Sequence, residues 1–498
     1  MGCWDALAIE WEGLKYYKSV FARLIMDPAT KAKTSFGQMF RGIVVGAHYE
    51  WLTNPKKTSE SVVEEVCGKG NYDALKGKVV IITGATNGLG LENARCLLKY
   101  GCHVVFAMRN KEKAAKVVAE MQAKETLTGK ATFINIQLDD LSTVKPFVQE
   151  FLAMNLPLHC LINNAGIMAP PVYRASKQGL ESQFAINNMS HYLLTHLLLP
   201  KLKETAQTSG EARVVYLGSL AGEACWNIDL DTSVPSGPEF YSDIGDYTST
   251  KCIDMIHARH LHDKHTKDKI FVCAVHPGII NSGLGKDNPG LTAAFYAGSS
   301  LKHTHKSQAE GAATTMYCAL SPEVPKKSVT EGAWWYYNCQ PQRCIGFASK
   351  ATPEFQEKLE AKCWDLAKDN FLRQDAAESE TEAADLFEDA VKHERHAAKM
   401  AKKGANSVVR GDYEQMLEDQ DEMERLMTRA AEDMEDDSML VLQHDRNGTD
   451  IAAVQHVQQI HFWCNFILTR QHCTFHEVGD DDDGGHFDCD GEDGDGPD

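Results

Sequence analysis

Five consecutive β-branched residues, Val79-Val80-Ile81-Ile82-Thr83, run straight into Gly84-Ala85-Thr86-Asn87-Gly88-Leu89-Gly90, and a helical-period segment, Leu91 to Tyr100, follows at once. Such a run suits a strand buried on both faces, and the glycines end it in a turn. Between a strand and a helix, glycines allow a tight turn, close approach of backbone to a ligand and close packing of helix on strand. The helix start then presents unpaired N–H groups to negative charge. Glycine alone is common in turns. With a second strand following at His103–Met108, the segment becomes a candidate cradle for a dinucleotide pyrophosphate, with Gly84, Thr86, Asn87, Gly88, Leu89 and Gly90 as its residues.

The same alternation continues downstream. Strands are expected at Val79–Thr83, His103–Met108, Thr132–Leu138, Cys160–Asn163, Val214–Leu217, Ile270–Val275 and Ala333–Tyr337, separated by longer helical-period segments. Right-handed crossovers between them give the α/β class, a doubly wound parallel sheet of Rossmann type, over residues 75–370. At 498 residues the chain is longer than one such domain, and 43% hydrophobic residues suffice for a large core.

A formal net charge of −19 excludes nucleic acid as the main partner, because exchanging counterions for phosphates needs a basic face. Fifteen scattered cysteines with no secretory signal fit reduced thiols and a cytoplasmic setting. No apolar run reaches the length of a membrane-spanning helix.

The tails differ from the centre. Residues 1–74 read as a helical extension in which Trp4, Leu7, Trp11, Leu14, Phe21 and Leu24 recur at helical spacing, suited to packing on the core or to peripheral contact with a membrane. Residues 371–440 are acidic and partly helical, with a weak stripe of Tyr413, Met416, Leu417, Met423 and Leu426. Residues 441–498 end in Asp, Gly and Glu and read as largely disordered. That acidic run lacks the ligand spacing of a Ca²⁺ loop, so no metal site is expected.

The remaining landmarks arrive in a fixed order: Asn163-Asn164-Ala165-Gly166 at the end of a strand, Phe184-Ala185-Ile186-Asn187, then Val215-Tyr216-Leu217-Gly218-Ser219. Tyr247-Thr248-Ser249-Thr250-Lys251 and His276-Pro277-Gly278 with Ser282 complete the set. Together with the glycine turn, this order resembles the short-chain dehydrogenase/reductase family over roughly three-fifths of the chain. Within that family it is most similar to the branch of retinol dehydrogenases and WW-domain oxidoreductases, although no WW domain is visible. The resemblance implies Tyr247, Lys251, Ser219 and Asn187 as catalytic residues. It implies a cofactor site that adds Asp139, Asn164, Ala165, Gly166, Pro277 and Gly278 to the glycine turn, with Tyr247 and Lys251 contributing. It also implies NADP or NAD as cofactor, a lipophilic alcohol or carbonyl substrate, and a surface by which such proteins often form homodimers.

The chemistry gives each type a reason. On a helix, Tyr247 and Lys251 share a face one turn apart, so the ammonium is expected to depress the phenol and let it exchange a proton with the substrate oxygen while hydride moves. Ser219 would hydrogen-bond the same oxygen. Asn187, by family analogy, would hold a water linking Lys251 to solvent. Two other segments, Tyr72 to Lys76 and Tyr173 to Lys177, share the Tyr-x-x-x-Lys spacing, but only Tyr247 follows the serine strand. After the second strand, Met108-Arg109 offers a cation and no carboxylate, which favours the 2′-phosphate of NADP. The segment Ile279 to Ser307, with Leu284, Leu291, Phe295, Tyr296 and Leu301, is the expected substrate loop. An alternative is a weakly active cofactor-binding scaffold or redox sensor working through the acidic C-terminal region.

Overall fold

The computed structural model of the chain describes residues 56–232, 234–280, 283–288 and 305–368. All of them fall in the first of the chain's two compact units, Met1–Gln374; the second, Asp375–Asp498, lies outside the described residues. So do the N-terminal stripe, the C-terminal tails, Ser282 and the loop residues Leu291, Phe295, Tyr296 and Leu301.

In chain order the elements that position the site are α1 (Ser59–Cys67), β1 (Val79–Thr83), α2 (Gly88–Lys99), β2 (His103–Met108), α3 (Lys111–Gln122) and β3 (Lys130–Asn135). Next come α4 (Val144–Ala153), β4 (Cys160–Asn163), α5 (Ser190–Ser209), β5 (Ala212–Leu217), α6 (Leu220–Ala224), α7 (Asp243–His265) and β6 (Ile270–His276). After β7 (Ile279–Ile280) and β8 (His305–Lys306) follow α8 (Gln308–Leu320), α9 (Glu323–Glu331), β9 (Trp335–Tyr337) and β10 (Gln340–Pro341).

The main sheet has the order β10-β9-β6-β5-β4-β1-β2-β3, parallel throughout except for β10 against β9. Because β1 lies between β2 and β4, the winding reverses at β1 and β4, and a crevice opens beyond their C-terminal ends. Helices cover both faces. Alternate residues of β1 enter opposite cores: Val79 and Ile81 join Val105, Leu161 and Val214 on one side, and Val80 and Ile82 join Val104, Ile162 and Val215 on the other. Burying each such side chain contributes about 1.5–3 kcal/mol, which explains why a strand needing two apolar faces carries no polar alternation.

The doubly wound parallel sheet is as the sequence implies, and β1, β2 and β4 have the expected bounds. β3 begins two residues earlier and ends three residues earlier than expected, β5 begins two earlier, at Ala212, β6 runs one further, to His276, and β9 begins at Trp335 rather than Ala333. Helix α2 starts at Gly88, so Gly88 and Gly90 already form its first turn. Upstream of residue 75, α1 is part of the same body: Val62 and Val63 are buried in the cluster that contains Val80 and Ile82, and α1 packs on α8 and α2. No helix among the described residues is long and apolar enough to cross a membrane.

Candidate active site

The C-terminal ends of β1, β4, β5 and β6 surround a cavity of about 360 Å³. Gly84, Asn87, Gly88 and Leu89 form one wall, Asn164, Ala165 and Gly166 the next, and Ser219, Tyr247 and Lys251 a third, with Pro277 and Gly278 closing the rim. Twelve of the residues singled out from the sequence therefore meet in one place.

The glycine wall is built by close approach. Gly84 has φ +68°, and a Cβ there would lie 3.0 Å from the Ala165 Cβ. A Cβ at Gly90 would lie 2.4 Å from Asn164 Nδ2 and 2.7 Å from the Gly84 oxygen, so only glycine lets α2 sit this close to β1 and β4. Gly90 thus acts through packing and does not line the cavity.

The Asn164 wall hangs from one hydroxyl. Thr83 Oγ1 accepts from the backbone N–H of Asn164 at 2.9 Å and of Ala165 at 3.0 Å, and lies 2.9 Å from His191 Nε2. His191 Nδ1 is 2.9 Å from the Asn187 carbonyl oxygen, which can only accept, so Nδ1 carries the proton and Nε2 accepts from Thr83. Burial holds this histidine down at about 4, against the Asn187 carbonyl, which raises it, so the ring is neutral. Sequence reasoning missed His191; its signal is a helical spacing of four from Asn187.

Asn187 lies where the chain makes a π-helical turn, Phe184–Met189. Its Oδ1 accepts from Ile167 N at 2.9 Å, and its Nδ2 donates to Ile167 O and Thr250 Oγ1, both at 3.1 Å. Buried at 1% exposure, it shapes the Ile167 wall from behind and does not line the cavity.

Tyr247 and Lys251 stand on α7, both facing the cavity, and the side chain of Ser219 hydrogen-bonds Tyr247. Ser219 also N-caps α6, accepting from Ala221 N at 3.1 Å. Lys251 Nζ donates to the Leu217 carbonyl at 2.6 Å and to Asp254 Oδ2 at 3.0 Å. The expected depression of the Tyr247 phenol is reversed. Burial pushes it above its ordinary value, the Ser219 hydrogen bond opposes the rise, and the Asp254 carboxylate adds to it. The physical reason is burial itself, which disfavours the charged phenolate by more than the Ser219 hydrogen bond favours it, with the Asp254 carboxylate one turn beyond Lys251 adding a smaller rise.

Three other singled-out residues lie away from the cavity. Arg109 is exposed directly after β2, Thr86 is half-buried on the glycine turn, and Asp139 is half-buried with its carbonyl accepting from Lys177 N. Its neighbour Asp140 is the engaged carboxylate, accepting from Ser142, Gln178 and Lys177. Among the described residues no cluster of metal-ligating side chains occurs.

The family model for short chain dehydrogenases matches residues 78–228. A chloroplastic short-chain dehydrogenase, TIC 32 A of Brassica napus, is 36% identical over 329 residues, which is 66% of this chain and 96% of that protein. The WW domain-containing oxidoreductase of Danio rerio is 32% identical, across 59% of this chain and 68% of its own. Retinol dehydrogenase 12 of Bos taurus is 36% identical, across 50% and 74%.

Proposed function

Because the chain belongs to the short-chain dehydrogenase family, we propose that its cavity binds NADP(H) and transfers a hydride between that cofactor and the alcohol or carbonyl carbon of a lipophilic substrate. The observation that carries this reading is the convergence of Tyr247, Ser219 and Lys251 on the cavity whose far wall is the glycine turn. A dinucleotide suits that wall. Gly84 lines it without a side chain, and the N-terminal turn of α2, with Gly88 and Leu89, borders the cavity where a pyrophosphate would meet backbone N–H groups. Gly84, Asn87, Gly88 and Leu89 would hold the phosphates, Asn164, Ala165, Gly166, Pro277 and Gly278 the nicotinamide half, and Arg109 a 2′-phosphate, with Asp139 towards the adenine.

When bound, NADP(H) supplies or accepts the hydride. Tyr247 exchanges the proton with the substrate oxygen, Ser219 orients that oxygen, and Lys251 supplies positive charge beneath the phenol. Ile167, Met168, Leu220, Ile280 and Leu284 give the rest of the cavity an apolar lining, which favours a lipophilic substrate. The name of the bovine relative points the same way, to a retinoid.

Replacing Tyr247 by Phe tests the reading. NADPH binding, followed by nicotinamide fluorescence, should persist, while turnover of retinoids, steroids or simple carbonyls should fall by about 10²–10⁴. Unchanged turnover refutes the role of Tyr247. Cofactor binding with no turnover of any substrate by the wild type favours the scaffold alternative.

A further inference from the structure

Asp254 is a carboxylate buried to 2% exposure beneath the candidate catalytic helix face, and hydride transfer as outlined above leaves it without a task. Its two oxygens are committed in opposite directions. Oδ2 accepts from Lys251 Nζ at 3.0 Å, and Oδ1 accepts from Asn188 Nδ2 at 2.6 Å. Asn188 also donates to the Thr250 carbonyl at 2.8 Å, and its own buried Oδ1 has no hydrogen-bond partner. Turning that amide over would set its oxygen against the Thr250 carbonyl and the Asp254 carboxylate. The amide therefore spends both hydrogens on acceptors and leaves its own acceptor unsatisfied, an arrangement that makes sense around a negative Asp254.

The Lys251 ammonium is thus fixed on its inner side by the Leu217 carbonyl and Asp254, leaving its third hydrogen for the cavity it lines. From the position of the Tyr247 oxygen, a lone ammonium would stabilise phenolate; an ammonium backed by a carboxylate is a dipole and stabilises it far less. We propose that Asp254 is a positioning residue that holds Lys251 and offsets its charge as felt by Tyr247, so that the phenol works as a proton donor and the site is set for carbonyl reduction. This rests on the hydride-transfer reading. In that direction the carbonyl carbon takes a hydride with its two electrons from NADPH while the oxygen takes the Tyr247 proton. C–H and O–H bonds form on the substrate as its C=O π bond, the C–H bond of the hydride donor and the Tyr247 O–H bond break; the oxidised cofactor would then be released, and the phenolate regains its proton from solvent.

The charged and titratable groups around Asp254 are few. On α7 they are Lys251, Tyr247 and, one turn on, His257, which burial keeps neutral. From β5 comes Tyr216, whose phenol burial raises and Asp254 raises further while the Thr195 hydrogen bond opposes. From α5 comes the neutral His191, which Lys251 helps to keep unprotonated. Burial lifts Asp254 itself to about 6 against the pull of Lys251 and Asn188, the two donors whose contacts favour its charged form.

The test is the pH profile of Asp254→Asn, which keeps the shape and an acceptor for Lys251 but removes the charge. Asp254 and Tyr247 are seven positions apart on α7, about 10 Å, so loss of the carboxylate should move the Tyr247 limb to lower pH by about one unit. The rising limb of kcat/KM for alcohol oxidation and the falling limb for carbonyl reduction should move together, because they report one group, while NADPH binding persists and the thermal midpoint falls, because the new amide nitrogen meets the Asn188 amide hydrogens. Asp254→Ala should lower kcat in both directions, since it also frees Lys251, with Asn restoring most of it. Should the Asn variant fail to fold, Asn188→Ala deprives Asp254 of a donor, favours its protonation and should shift both limbs the same way by less. A folded, cofactor-binding Asp254→Asn enzyme whose limbs coincide with wild type overturns the proposal. If Tyr247→Phe retains turnover in the same assays, it is the hydride-transfer reading that has failed.

Discussion

Replacing Thr83 by Val should separate the sheet's contribution to the site from that of the cavity residues. Thr83 is fully buried at the end of β1, and valine preserves both its volume and its β-branching. What disappears is one hydroxyl with three partners: the N–H groups of Asn164 and Ala165 and the Nε2 of His191. His191 is 1% exposed, so its nitrogen is left unsatisfied at about 1–3 kcal/mol. Asn164 and Ala165 are themselves half-buried, and each lost bond to the hydroxyl is set at the net worth of an ordinary hydrogen bond, about 0.5–1 kcal/mol. The sum is roughly 2–5 kcal/mol, which for a folded body of this size lowers the thermal midpoint by about 4–10 °C. Because the Asn164 wall is also released, NADPH affinity should weaken in the same variant. Near-UV circular dichroism melts and fluorescence titration read the two effects. A variant that melts within about 1 °C of wild type would show that the hydroxyl carries no structural role, and the chain from His191 through Thr83 to the cavity wall would have to be abandoned.

Two further outcomes follow from the site. Arg109→Glu should raise the KM for NADPH by about tenfold or more, with little change for NADH, because a carboxylate repels a 2′-phosphate and suits free ribose hydroxyls; equal effects on both cofactors in steady-state assays would remove Arg109 from cofactor choice. The buried His191 titrates at 6.5 when unfolded and about 4 when folded, so the unfolded chain binds the extra proton and stability is lost as pH falls from about 6.5 towards 4. His191→Gln should flatten that slope by up to about 1.4 kcal/mol per pH unit in melts across this window, and an unchanged slope would mean the histidine is not held neutral.

The legible parts of the fold were those where burial dictates composition. β1, β2 and β4 lie at the centre of the sheet and have apolar residues on both faces, so their runs end where the strands end. β3 is an edge strand of mostly half-buried residues, and its ends have no such signature, hence the displacement of two residues at its start and three at its end. The cavity residues were legible because order along the chain and position at strand ends are both sequence properties. The groups behind them were not. Helix α7 buries polar as well as apolar residues, including Ser249, Thr250, Asp254 and His257, so periodicity does not reveal which face is inside. Asp254 stands three residues after Lys251, at a helical spacing, but only burial turns that spacing from a solvated pair into an ion pair that bears on Tyr247.

The three Tyr-x-x-x-Lys segments show the same limit from the other side. A separation of four brings two side chains together only on a helix. Tyr72 to Lys76 runs through turns before β1, with Tyr72 45% exposed and tilted against Tyr100. Tyr173 to Lys177 is non-helical, with Tyr173 edge-on to Tyr241 and Lys177 paired outward with Asp140. Only Tyr247 and Lys251 lie within a helix, and that helix packs on β5 and β6, the strands that lead into Ser219 and Pro277. The motif therefore specifies a chemical possibility, and the reversal of the sheet at β1 and β4 decides which copy can meet a dinucleotide. The same topology places Asp254 beneath that copy, so the charge balance at the phenol depends on the third residue after Lys251 as much as on the four-residue spacing before it.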